Sequence, residues 1–186
     1  MKRLLRQHGV AAIIGATSMI LALASAAPSA DARPWKSTPA MLAQDYGQII
    51  DSRPNHQLVM LWWLPSPMEE SKAGKEILDK YVVVGITDAQ VSNEGVFSFS
   101  PITTLSATVN GQPLHLLTAA DTPPSVAGFL TIMQTGMTRA AGQIGAGLHW
   151  FAFDAGSFRA CGSGELAIPY SGEVYTFDAP IPGCPK

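Results

Sequence analysis

The sequence predicts an α+β fold: a single domain with a mixed β-sheet, two or three helices and a carboxy-terminal β-hairpin. Residues 57–64 and 81–87 are apolar on both faces, which is typical of strands in the middle of a covered sheet. Segments with helical periodicity lie between and after these runs. Turn residues at 110–111 and 171–172 divide short strand-like segments into hairpins. The 186 residues suffice for one ordinary domain and not for two.

The composition limits the classes of protein that this chain can belong to. Hydrophobic residues make up 47% and charged residues 14%, so a packed core is expected and disorder is not. The 12 Lys and Arg residues do not outnumber the 14 Asp and Glu residues, which disfavours binding to a phosphate backbone. We therefore expect no nucleic-acid partner.

The amino terminus predicts export through the general secretory route. Basic residues near the start precede an uncharged apolar run over 10–24, and Ala-x-Ala sites end at Ala26 and Ala32. This order is typical of a signal peptide, so we predict that 1–32 is removed, with cleavage after Ala26 or Ala32, leaving 33–186 as the exported domain. The run is shorter than the roughly 20 residues of a spanning helix, and no membrane span is expected after cleavage. The compact basic region is typical of bacteria and predicts a periplasmic or secreted protein.

The two cysteines, Cys161 and Cys184, predict one disulfide. In an oxidising compartment an even pair of this kind forms a bridge, which here would hold the carboxy-terminal hairpin and tail to the domain. A redox pair is the alternative, but such pairs usually have the spacing Cys-x-x-Cys.

The first elements after the signal are predicted to be a helix and a strand. Thr38 and Pro39 form a helix-start signal, and an apolar stripe predicts a helix over 39–52. The stripe consists of Leu42, Tyr46, Ile49 and Ile50. The strand over 57–64 follows.

A strand–helix–strand unit is predicted next. Ser66 and Glu69 have the spacing of a capping box, which predicts a helix from Ser66 to about Lys80. The double-faced strand over 81–87 follows it. A unit of this order normally has parallel strands joined by a right-handed crossover.

The second half of the chain alternates hairpins with one helix. A short strand is predicted over 96–99, and the segments 102–109 and 113–118 flank the hairpin signal at 110–111.

The single helix of this half is predicted to begin at 121–124. The glycines within 142–147 are expected to end it. A strand over 148–154 and a hairpin of 165–170 with 173–177 complete the prediction.

This order of elements resembles the thioredoxin fold over residues 57–140. A buried strand leads into a helix, a second buried strand follows, and then come a strand, a hairpin and a helix. Residues 65–68, Pro-Ser-Pro-Met, stand where that fold carries its two active-site cysteines. The resemblance implies a non-catalytic thioredoxin-like core as the alternative to the mixed sheet.

Signatures of catalysis are missing from the sequence. It contains no Gly-x-Ser-x-Gly, no His-Glu-x-x-His and no P-loop. We therefore predict no cofactor and no metal site.

Three residues are the weak catalytic candidates: His149, Asp154 and His115. His149 shares a strand face with Phe151 and Phe153, whereas Asp154 points to the opposite face. A hydrogen-bonded structural histidine is the simpler interpretation. A general base or a metal ligand is the alternative.

The predicted function is therefore a binding role. The chain has few titratable residues and does not cluster them, so we expect a non-catalytic exported protein that binds a protein partner or a component of the cell envelope. A secreted hydrolase with a site around His149 is one alternative. An inhibitor or immunity-type protein of a secreted enzyme is another.

Overall fold

The computed structural model describes the backbone of residues 47–50. It describes both backbone and side chains for residues 56–182 and residue 184. The described residues form two antiparallel sheets, two α-helices and a 3-10 turn at Ser66–Met68. The strands are β1 Gly47–Ile50, β2 Gln57–Leu64, β3 Tyr81–Val91, β4 Phe97–Phe99, β5 Thr108–Val109, β6 Gln112–Pro113, β7 His115–Leu116, β8 His149–Asp154, β9 Gly164–Tyr170 and β10 Glu173–Ala179. The helices are α1 Lys72–Leu78 and α2 Pro124–Ala146.

The two sheets take the place of the predicted mixed sheet. The first has the order β1-β2-β3-β8-β7, with β4 also paired to β3, and the second has the order β10-β9-β5-β6. Every strand pair among the described residues is antiparallel. The α+β content and the number of helices are as predicted.

The predicted parallel strand–helix–strand unit is wrong, because β2 and β3 are antiparallel neighbours. A parallel crossover must return along the whole preceding strand, which is about 26 Å for eight residues. The seven-residue helix α1 is only about 10 Å long. It is therefore part of a short connection between two antiparallel strands. The thioredoxin-like alternative over 57–140 depends on that parallel unit and is not confirmed.

The main core lies between the two sheets. Alternate residues of β2, β3 and β8 face the inner side of the β9–β10 hairpin. The principal members are Val59, Leu61, Trp63, Val84, Ile86, Phe153, Leu166, Ile168, Tyr175 and Phe177, all buried. This burial confirms the prediction that β2 and β3 are covered strands. The first sheet is the middle layer, with the helices on one face and the second sheet on the other.

A smaller core covers the other face of the first sheet. It joins Leu64, Val83 and Ala152 of the strands to the two helices. Helix α1 contributes Leu78, and α2 contributes Val126 and Phe129. Burial of these side chains holds both helices on the sheet.

Gly85 makes room for Trp150 on this face. It lies at the centre of β3, opposite Trp62 on β2 and Trp150 on β8. A Cβ at Gly85 would lie 2.9 Å from Trp150 Cζ3, closer than ordinary carbon contacts. The absence of a side chain at Gly85 therefore lets the indole lie across the strand.

The helix predicted over 39–52 is wrong where it can be examined, because Gly47–Ile50 is strand β1, paired with β2. The isoleucines in the pattern suit a strand as well as a helix, and pairing with β2 outweighs a local preference. The remainder of that segment lies outside the described residues. So do the predicted signal peptide and both predicted cleavage sites.

The residue that caps the first helix also differs from the prediction. Ser66 makes no side-chain cap, whereas the Ser71 hydroxyl accepts a hydrogen bond from the Gly74 backbone N–H at 3.0 Å and caps α1. The backbone N–H of Ser71 donates to Glu69 Oε1 at 2.8 Å. Helix α1 therefore begins six residues later than predicted, because Pro65 and Pro67 direct the chain into a 3-10 turn first.

The predicted turn at 110–111 is confirmed. Asn110 and Gly111 have φ of 50° and 78°, as a two-residue hairpin of this type requires. The flanking strands are shorter than predicted, since β5 and β6 have two residues each. Within 102–107, Ile102, Leu105 and Ala107 are buried without strand pairing.

Helix α2 ends as the glycine pattern predicts. Gly142 has φ 57° and ψ −128° and interrupts the helix. The chain then turns back, so that Gln134 Nε2 donates to the Gly145 carbonyl at 3.0 Å. Gly145 packs directly on the Met137 carbonyl, where a Cβ would collide with backbone atoms.

The Cys161–Cys184 disulfide is confirmed, with a Cα–Cα distance of 5.4 Å. Cys161 precedes β9 and Cys184 follows β10, so the bond closes both ends of the carboxy-terminal hairpin. The backbone N–H of Ile181 also donates to the Ala160 carbonyl at 3.0 Å. Ile181 is buried beside this bond and adds an apolar anchor for the tail.

Candidate functional site

The three catalytic candidates do not form one site. His115 and Asp154 are exposed partners across β7 and β8, whereas His149 lies at the other end of β8. The five-residue separation along the strand corresponds to about 17 Å. Asp154 Oδ1 accepts a hydrogen bond from the Gly156 backbone N–H at 2.9 Å, so this carboxylate stabilises the turn after β8.

His149 lines an open cleft of about 430 Å³ at the end of the first sheet. We call it the His149 cleft. Its walls come from the segment after β4 and from the last turn of α2. Its lining consists of Phe99, Ser100, Pro101, Gln143, Ala146, Gly147 and His149. The polar side chains among them are a hydroxyl, an amide and an imidazole.

The central strand β3 holds both walls of this cleft. The backbone N–H of Ser100 donates to the Asp88 carbonyl at 2.8 Å on one side. On the other side, the Thr87 hydroxyl donates to the Ile144 carbonyl at 3.4 Å. Because Thr87 and Asp88 are adjacent and buried, the width of the cleft is fixed by the strand beneath it.

Phe99 and Gly147 meet at the wall of the His149 cleft. A Cβ on Gly147 would lie 2.5 Å from Phe99 Cε1 and 2.6 Å from Phe99 Cγ. The phenyl ring can therefore take this position only against a glycine. In the sequence the glycines of 142–147 indicate only the end of a helix, and no sequence signal predicts this contact.

A second cleft, made of two overlapping parts, lies at the β3–β4 turn, at the other end of β4. The apolar part, of about 450 Å³, is lined by Leu58, Val91 and Phe97 together with polar residues of the turn. The polar part, of about 380 Å³, adds Gln90, Glu94 and Ser98. Both parts include His56, Ser92 and Asn93. We call the two parts together the turn cleft.

Two phenylalanines separate the His149 cleft from the turn cleft. The rings of Phe97 and Phe99 are nearly parallel, at 10°, with their centroids 6.1 Å apart. Both side chains are only partly buried. We call the two rings and the clefts on either side the β4 surface. Val96, the residue before Phe97, is 61% exposed.

The β3–β4 turn is shaped by Ser92. Its hydroxyl accepts hydrogen bonds from the backbone N–H groups of Glu94, at 3.2 Å, and Val96, at 3.3 Å. Two hydrogen bonds lower the pKa of the Glu94 carboxyl below its ordinary value of 4.5. The bond from the Ser92 side chain has the larger effect, and the bond from the Glu94 backbone has the smaller one. Glu94 is therefore ionised at neutral pH.

A buried carboxylate lies behind the β4 surface. Asp88 is 6% exposed; it accepts hydrogen bonds from Gln57 Nε2 at 2.8 Å and from the Tyr170 hydroxyl at 2.9 Å. These bonds tie β2 and β3 to β9 and so join the two sheets. This role of Asp88 in joining the sheets was not predicted from the sequence. The available signal was a lone acidic residue at the end of a run of β-branched residues.

The described part of the chain contains neither a metal-binding cluster nor a membrane-spanning helix. In residues 47–50, 56–182 and 184, no group of three or more His, Cys, Asp and Glu residues could hold a metal ion. The same residues contain no helix that is both long and apolar enough to cross a membrane.

Comparison with protein-family models, with curated proteins and with solved structures found no match to this chain.

Proposed function

We propose that this chain is an exported, non-catalytic protein that binds a component of the cell envelope through the β4 surface. The observation that carries the proposal is the pair of partly exposed rings, Phe97 and Phe99, set between two open clefts. Exposed apolar groups rimmed by polar ones are typical of interaction sites.

The rigidity of the β4 surface supports this proposal. Thr87 and Asp88 hold the walls of the His149 cleft, and Ser92 holds the turn at the other end of β4. A binding site whose shape exists before the ligand arrives loses less entropy on binding.

The proposed compartment is the bacterial periplasm or the cell exterior. The support is the amino-terminal pattern of a cleavable signal over 1–32, together with the Cys161–Cys184 bond, which suits an oxidising compartment. A partner located there is the reason for proposing an envelope component.

A secreted hydrolase is the second candidate, because His149 does face an open cleft that also contains the Ser100 hydroxyl. A histidine base needs a group that orients its ring. The two other sequence candidates, His115 and Asp154, lie at the opposite end of β8 and do not supply it. The inhibitor alternative stays a prediction from the sequence.

Co-sedimentation with purified envelope fragments tests the proposed function. The mature protein should sediment with the fragments, and Phe97→Ser should remain in the supernatant. Val174→Ser is the matched control, because Val174 is 62% exposed on the second sheet; it should sediment like the wild type. Melting curves verify that each variant is folded. Equal sedimentation of the folded Phe97→Ser variant, or none of the wild type, overturns the proposal.

His149→Gln separates the two candidates. Glutamine keeps a donor and an acceptor but cannot act as a base near neutral pH. A binding protein should therefore retain most of its sedimentation. Loss of a hydrolytic activity in a variant that melts normally would favour the hydrolase.

A further inference from the structure

We infer that the ligand of the β4 surface is a neutral oligosaccharide. The inference rests on the proposed function and narrows it to one chemical class. It is argued from the lining of the His149 cleft, from the paired rings and from the position of both clefts beside one strand.

The polar groups of the His149 cleft match sugar hydroxyls. Ser100, Gln143 and His149 each offer both a donor and an acceptor, and a sugar hydroxyl needs both. Among the described residues, no Asp, Glu, Lys or Arg lines this cleft, and the carboxylate in the turn cleft, Glu94, would repel an anionic ligand. A phosphate, carboxylate or ammonium ligand would require a charged partner there.

The aromatic groups match the other side of a sugar ring. A pyranose presents a face of C–H groups, and an aromatic ring is electron-rich on its face, so the two attract each other while water leaves both. Phe99 supplies such a ring at the wall of the His149 cleft, and Gly147 leaves room for it.

The arrangement of the clefts favours a chain of sugars over a single unit. Strand β4 gives Phe99 to the His149 cleft and Phe97 to the turn cleft. The two residues lie on the same face of β4 and their ring centroids are 6.1 Å apart, so a ligand that contacts both rings runs along the strand. Asn93 provides a further donor and a further acceptor at the turn end of β4. Affinity should therefore rise with the number of sugar units.

Titration of the mature protein with neutral oligosaccharides tests this inference. The probes are glucose oligomers with β-1,4 and α-1,4 links and N-acetylglucosamine oligomers, each from one to six units long. Two-dimensional NMR should show shifts at amides of 90–101 and 143–149 for at least one series. Binding should tighten with length and change little between about 0.05 M and 0.5 M salt, because the ligand is neutral.

Variants locate the binding. Phe97→Ser and Gln143→Ala should each weaken binding of the longest active oligomer. For Phe97→Ser, which removes the aromatic contact, the affinity should fall by about tenfold. Val174→Ser should bind like the wild type. Equal affinity of all three folded variants, or amide shifts confined to the second sheet, overturns the inference.

A negative titration separates this inference from the proposed function. If no oligosaccharide causes shifts but envelope sedimentation still depends on Phe97 and is abolished by protease treatment of the fragments, the ligand is a protein and only the inference fails. If neither oligosaccharides nor fragments bind, both fail.

Discussion

Replacement of Gly85 by alanine should destabilise the protein, although alanine usually suits a strand better. The new Cβ would lie 2.9, 3.1 and 3.2 Å from Cζ3, Cη2 and Cε3 of Trp150. Carbon atoms pack best at about 3.5–4.0 Å, so the indole would have to move by about 0.6 Å. The backbone of Trp150 cannot move away freely from the new Cβ, because β8 is paired with β3 along its whole length.

The size of the effect follows from two opposing contributions. Overpacking of a core typically costs about 1–3 kcal/mol, and replacement of glycine by alanine in a strand returns about 0.5–1 kcal/mol. Gly85→Ala should therefore lower the free energy of unfolding by about 1 kcal/mol, which is the difference between the middle values of the two ranges. For a domain of this size the melting temperature should fall by roughly 2–4 °C.

A double-mutant cycle in urea, followed by circular dichroism, isolates the clash. In the Trp150→Leu background the ring is absent, so Gly85→Ala should be neutral or stabilising by up to about 1 kcal/mol. The reasoning is refuted if Gly85→Ala is as stable as the wild type, or if it destabilises both backgrounds equally.

Three further predictions concern the disulfide, a surface carboxylate and a buried one. Replacement of both Cys161 and Cys184 by serine should remove about 3 kcal/mol from the free energy of unfolding, because the 23-residue separation closes a sizeable loop; equal urea midpoints for variant and wild type would contradict this. The pKa of Glu94, followed by NMR, should lie below 4.5, and Ser92→Ala should raise it towards that value. Since the folded pKa is the lower one, the stabilising contribution of Glu94 should be present above the unfolded pKa and disappear as the pH falls through the folded pKa; an unchanged pKa in Ser92→Ala would argue against the hydrogen bond. Asp88→Ala should lower the free energy of unfolding by about 2 kcal/mol or more, because two buried hydrogen bonds lose their acceptor; a variant with wild-type stability would show that these bonds contribute nothing.

Local signals in the sequence were enough for several parts of the fold. The strand over 57–64 has the predicted bounds, because an unbroken apolar run between polar residues and Pro65 admits few alternatives. The turn at 110–111 depends on residues that tolerate positive φ. The disulfide could be predicted because the sequence contains two cysteines, which leaves one possible pair.

The direction of strand pairing could not be predicted in the same way. Whether β2 and β3 run parallel depends on the length of the helix between them, and the false capping box at Ser66 made α1 look long enough for a crossover. Likewise, Gly47–Ile50 has an apolar pattern that fits a helix, and only the neighbouring strand β2 decides the outcome.

The candidate site was predicted only in part. His149 was singled out, but its surroundings come from segments about 50 residues apart, the one after β4 and the one at the end of α2. No periodicity in the sequence relates Phe99 to Gly147. The partner of Phe99 is therefore visible only in the packed structure.

Hydrogen–deuterium exchange of the mature protein, with and without saturating envelope fragments, tests the central claim most directly. Binding through the β4 surface predicts slower exchange in residues 97–101 and 143–149, and no change in β9 and β10. Unchanged exchange around β4 together with protection of the β9–β10 hairpin would contradict the account and place the binding site on the second sheet.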